Sequence, residues 1–151
     1  SDVCSSDLKE TSLCFLAGLS MGGYGALRLG AKFAERWQGI SAHSAITELN
    51  QMNLFVEEPL NFYLPKNEEE GNALYWLQEN RDRLPPLRFD CGRSDLLIEP
   101  NRKLHASLLE CGIAHEYTEF EGTHHWDYWR EHLRDTLLFF GEIAKFTPAS
   151  A

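Results

Sequence analysis

The alternation of apolar and polar positions divides the chain into short apolar runs, most of them followed by helical stretches. Leu13 to Ala17 (LCFLA) is an unbroken apolar run of strand length, with turn residues after it. From Met21 to about Phe33 the apolar positions recur at helical spacing, and the helix is expected to end before Trp37. Gly39 to Ala45 is a second strand candidate. Leu87 to Cys91 is a third, introduced by Pro85-Pro86, a pair that blocks helix and favours extended chain. Asn101 to Cys111 carries Leu104, Leu108 and Cys111 on one helical face, with Pro100 before it and Gly112 after it. His115 to Phe120 alternates as a strand. Tyr128 to about Phe146 places Leu133, Leu137, Phe140 and Ala144 at helical spacing. Strands alternating with helices predict βαβ units and a parallel sheet.

The stretch from Glu48 to Leu84 breaks this rhythm. It is acidic, contains Pro59 and Pro65, and holds the run Glu68-Glu69-Glu70. It is expected to be an insertion of loops and short helices over the sheet edge, with Leu74, Trp76 and Leu77 packed inward. No internal repeat and no dividing linker interrupts the 151 residues, a length that suits one domain.

Composition narrows the function classes. The net charge of −9 lacks the basic stripe that nucleic acid requires, and it disfavours an anionic membrane surface. No apolar run approaches a membrane span. None of the four cysteines (Cys4, Cys14, Cys91 and Cys111) shows C-x-x-C spacing. Cys14 and Cys91 sit in apolar runs and read as small core residues. The unpaired cysteines point to a cytoplasmic location. The opening run Asp2 to Leu8 (DVCSSDL) resembles a translated sequencing adapter. Residues 1–8 are therefore expected to be non-native, and 9–151 to be the C-terminal part of a single domain.

The strongest chemical signal is Gly18-Leu19-Ser20-Met21-Gly22, a G-x-S-x-G pattern with an apolar strand before it and an amphipathic helix after it. Such a turn sets a serine on a strained bend and needs nearly side-chain-free neighbours. Gly18 and Gly22 are expected to supply that room, extended by Gly23 and Gly25. The turn also puts Ser20 at a helix N-terminus, where free backbone N–H groups favour a developing oxyanion. The Met21 N–H is the expected donor, and a second would come from a loop earlier in the chain.

A serine hydroxyl is a weak nucleophile and needs a histidine to take its proton and a carboxylate to orient that histidine. On such an elbow the chain order is serine, acid, histidine. Asp95 lies just past the strand Leu87 to Cys91, beyond the turn at Gly92. Asp90, inside the strand, and Glu99, further along, are weaker candidates. The base belongs on the loop after the last strand, where His124 and His125 are adjacent, and spacing does not choose between them. His43, His105, His115 and His132 fall on strands or helices and read as structural or surface residues.

Three segments together resemble the esterase D-like family of the α/β-hydrolase fold: Ala17 to Gly30 (AGLSMGGYGALRLG), Leu84 to Leu108, and Glu119 to Trp129 (EFEGTHHWDYW). Tributyrin and feruloyl esterases, S-formylglutathione hydrolases and mycolyltransferases belong to that family. The resemblance covers about Leu13 to Phe140. It implies an α/β-hydrolase sheet with flanking helices whose N-terminal strands are missing here. It implies a Ser20–Asp95–His124 triad, preferring His124 through the match of Gly122, His124, Trp126, Tyr128 and Trp129 to a G-x-H-x-W-x-Y-W pattern. Trp126 becomes a candidate substrate contact. The implied activity is hydrolysis of a small-molecule carboxylic ester or thioester with no metal or organic cofactor. Acyl transfer to an alcohol and acyl or carbohydrate binding without chemistry are the alternatives. Missing strands would leave a bare sheet edge, so self-association is expected.

Overall fold

The computed structural model describes residues 12–147, and the stretch expected to be non-native, residues 1–8, lies outside them. Four strands form one parallel sheet: β1 (Phe15–Leu19), β2 (Gly39–His43), β3 (Leu87–Gly92) and β4 (Glu116–Phe120), in that spatial order. Phe15 lies opposite Gly39, Ile40 opposite Leu87, and Arg88 opposite Glu116. The connecting helices are α1 (Met21–Lys32), α2 (Ala73–Glu79) and α3 (Ile98–Glu110), and α4 (Trp126–Phe146) follows the last strand.

Parallel strands need crossovers. Crossovers of one hand that step the same way across a sheet leave their helices on one face. Accordingly Leu27 of α1, Leu77 of α2 and Leu104 and Leu108 of α3 share one core with Ile40, Ala42, Leu87 and Phe89. The opposite face receives α4, where Phe140 stacks on Phe15 with ring centroids 4.6 Å apart. Every residue of β2 and β3 is buried, so alternation along them separates two interiors rather than inside from outside. Ile40, Ala42, Leu87 and Phe89 face the helical core, whereas Ser41, His43, Arg88 and Asp90 face α4.

Several boundaries differ from the sequence expectation. Strand β1 runs two residues later, which draws Gly18 and Leu19 into the ladder and leaves Leu13 exposed. Helix α3 begins at Ile98, so Pro100 lies within its first turn, where its missing N–H has no intrahelical acceptor to lose. Helix α4 begins at Trp126, and His115 precedes β4. Cys91 is fully buried as expected, but Cys14 is only half-buried.

The 48–84 excursion consists of short 3-10 turns and α2, which packs on the middle strands and not over a sheet edge. It is the β2-to-β3 crossover, and its helix must share the face of α1 and α3. Leu77 is fully buried there, with Leu74 and Trp76 packed against the same core. Among the described residues no helix is long and apolar enough to cross a membrane.

Candidate active site

Strand β1 delivers Ser20 to the N-terminus of α1 in a backbone conformation (φ 53°, ψ −119°) that L-residues rarely adopt. Three backbone bonds hold it there. The Ser20 N–H donates to the His43 carbonyl at 2.9 Å, and the Ser20 carbonyl accepts from Tyr24 at 3.0 Å and Ile46 at 3.3 Å. The turn is tight: a Cβ on Gly18 would lie 2.1 Å from the Gly22 carbonyl oxygen, and one on Gly23 would lie 2.9 Å from the Ala45 Cβ. Gly22 and Gly25 face open space. The demand for a bare Cα therefore falls on Gly18 and Gly23, and the expectation for Gly22 and Gly25 is corrected.

The acid and base loops are laced together at the ends of β3 and β4. Arg93 N–H donates to the Phe120 carbonyl at 2.8 Å, and Ser94 N–H to that of Gly122 at 3.0 Å. Gly92 permits this approach, since a Cβ there would lie 2.4 Å from the Gly122 oxygen. Gly122 itself sits at φ +143°, a region that favours glycine. Asp95 turns into α3 with its Oδ1 accepting the Leu97 N–H at 2.8 Å, and its side chain is wholly inaccessible.

His124 then bridges the two remaining groups. Its Nδ1 lies 3.0 Å from Asp95 Oδ2 and 3.1 Å from Oδ1, and its Nε2 lies 2.9 Å from Ser20 Oγ. An ionised carboxylate only accepts, so Nδ1 carries the ring proton and Nε2 is free to accept from the serine hydroxyl. The ring is clamped by Phe55, at 4.8 Å and tilted 34°, and by the edge of Trp129, at 4.9 Å and 89°. A cleft of about 400 Å³ within the 48–72 excursion is lined by Leu49, Leu60, Leu64 and Gly71 and touches none of the three side chains. Among the described residues, no three His, Cys, Asp or Glu side chains converge as metal ligands would.

A family model described as Putative esterase matches residues 5–140. The chain belongs to this esterase family. An acetyl esterase of Caldicellulosiruptor saccharolyticus is 31% identical, over 86% of this chain and 55% of its own length. In fold the chain is similar to S-formylglutathione hydrolase from Staphylococcus aureus, with TM-score 0.76 and 21% identity over 83% of this chain and 53% of that one. It is also similar to a ferulic acid esterase, with TM-score 0.68 and 25% identity over 84% and 50%. The chain thus spans about half the length of the relatives it matches. Their likeness carries the α/β-hydrolase fold that the sequence led us to expect.

In this member of the esterase family the candidates separate cleanly by position. His124 comes within hydrogen-bonding distance of both Ser20 and Asp95. Met21 is the first residue of α1, beside Ser20. His125 points outward, 67% exposed, with its Nδ1 3.7 Å from Asp127. Glu99 pairs with Arg102 on the surface, and Asp90 is buried beneath the site with Arg88 and His43. Trp126 is 65% exposed and meets Trp129 edge-on at 5.3 Å, and Trp129 in turn meets the His124 ring. Of the other histidines, His43 and His132 are buried, while His105 and His115 bond each other at 2.7 Å beside β4. Sequence reasoning missed Phe55, which lies in the aperiodic excursion where no spacing signals a role.

Proposed function

We propose that this esterase hydrolyses carboxylic esters of small acyl groups through an acyl-enzyme on Ser20. The observation that carries the reading is His124 Nε2 at 2.9 Å from Ser20 Oγ while its Nδ1 rests on the buried Asp95 carboxylate. Likeness to an acetyl esterase supports a short acyl group.

In the first half-reaction Ser20 Oγ attacks the ester carbonyl as His124 Nε2 takes its proton. Asp95 stabilises the imidazolium without being protonated itself. Met21 N–H, at the positive end of α1, is placed in sequence to donate to the oxyanion. His124 then protonates the leaving alcohol. In the second half-reaction water gives its proton to the same nitrogen and attacks the acyl-enzyme, releasing the acid and restoring Ser20.

Hydrolysis of 4-nitrophenyl acetate tests the reading. Turnover that falls about 10^4-fold or more in Ser20→Ala and His124→Ala is expected. A folded protein whose turnover is the same in Ser20→Ala contradicts it. Adding an acceptor alcohol separates hydrolysis from acyl transfer by the ratio of acid to new ester.

A further inference from the structure

Beneath the three side chains lies a second buried cluster that the acyl-transfer steps do not use. Asp90 is fully buried on β3. Its Oδ2 lies 2.7 Å from Arg88 Nη2 and 2.8 Å from His43 Nδ1, and its Oδ1 accepts the Tyr128 phenol at 2.7 Å. Thr136 of α4 closes the far side, with its Oγ1 2.7 Å from His43 Nε2 and 3.1 Å from Arg88 Nη1. Burial alone would raise the Asp90 carboxyl, but His43, Arg88 and Tyr128 together hold it below the usual carboxylate range. Burial and the adjacent carboxylate push the Tyr128 phenol up, so it stays protonated and donates. Replacing a buried ion cluster by apolar side chains of similar volume is often neutral or stabilising. Packing alone does not account for the cluster.

Both sides of the cluster lead into the site by short paths. The backbone carbonyl of His43 holds the Ser20 N–H, and Ser44 N–H donates to the Asp90 carbonyl at 2.8 Å. On the other side the Tyr128 ring underlies Gly122, where a Cβ would lie 2.6 Å from ring Cδ2. Gly122 is two residues before His124, and Trp129, next to Tyr128, meets the His124 ring edge-on. We propose that Tyr128, anchored by Asp90, is a positioning residue that sets the height and tilt of the 121–125 loop. It keeps His124 Nε2 on Ser20 while Nδ1 stays on Asp95. The inference rests on His124 being the base in the proposed reaction.

The ¹⁵N shifts of the His124 ring report its tautomer whether or not the protein turns over an ester. Tyr128→Phe keeps the ring under Gly122 and removes only the phenol bond. Thr136→Val breaks the far side of the same cluster. Gly122→Ala pushes the loop off the ring with the phenol bond intact. The parent and Thr136→Val are expected to hold the Nδ1–H tautomer. Tyr128→Phe and Gly122→Ala are expected to average the two tautomers, and their fluorophosphonate labelling at Ser20 should fall about 10- to 100-fold. Parent-like His124 shifts in either folded variant overturn the proposal. So does equal disturbance by Thr136→Val, or a parent that already averages both tautomers. A parent that never labels at Ser20 contradicts the esterase mechanism instead, and the ring shifts still decide the positioning role.

Discussion

Strands β2 and β3 bury Ile40, Ala42, Leu87 and Phe89 on the face shared by α1, α2 and α3, and Ser41, His43, Arg88 and Asp90 on the face under α4. The two sets alternate along the same ten or so residues, so neither strand as a whole is apolar or polar. Burial of the first set is non-directional and stabilises in proportion to the area removed from water. Burial of the second is costly unless each donor meets an acceptor, so it selects one orientation of the groups it joins. The candidate catalytic residues follow β1, β3 and β4, and β2 and β3 form the middle of the sheet between them. One face supplies cohesion to hold them, and the other supplies direction to aim them.

Substitution on each face separates these roles most strongly. Phe89→Ala should cost about 3–5 kcal/mol of stability, read by urea denaturation, with Ser20 labelling per folded molecule unchanged. Asp90→Ala strands Arg88 and His43 in the interior and should cost about 3 kcal/mol. It should also slow labelling of the molecules that remain folded. Equal labelling in the two folded variants would dissolve the contrast between the faces.

The turn at Ser20 carries a smaller version of the same contrast. Gly18→Ala drives a Cβ into the Gly22 backbone and should cost about 2–3 kcal/mol. Gly25→Ala meets open space in the interior of α1 and should gain about 0.5–1 kcal/mol. Thermal unfolding of the pair checks both signs.

Acid titration divides the faces by pH window. His105, stacked on Tyr117 beside the helical core, is held below the usual histidine range by burial and by His115. The unfolded chain binds that proton more readily, so stability should decline as pH falls below about 6.5. Asp90, held low despite its burial, contributes stability at neutral pH that is lost only as pH falls below about 4, through its lowered value. Denaturation midpoints across pH 3–8 should show both limbs, and His105→Gln should remove only the milder one.

What sequence could convey follows from what is local. The elbow at Ser20, the strand and turn before Asp95 and the strand and loop before His124 are each local patterns, and the structure brings the three residues together. Asp90 looked like a strand residue because its partners His43 and Tyr128 lie 47 and 38 residues away, beyond any periodicity. The same holds for Phe55 against His124. Gly22 and Gly18 look equivalent in the motif, and only the path of the following helix shows which one is crowded. The side taken by α2 depends on crossover handedness, which the acidic composition of 48–84 masked.

Fluorophosphonate labelling mapped by peptide mass spectrometry tests most directly whether His124 activates Ser20. The predicted result is label on Ser20, absent in Ser20→Ala and at least about 10^3-fold slower in His124→Ala, with His125→Ala unchanged. Label elsewhere on the folded chain, or equal slowing by His125→Ala, would contradict it.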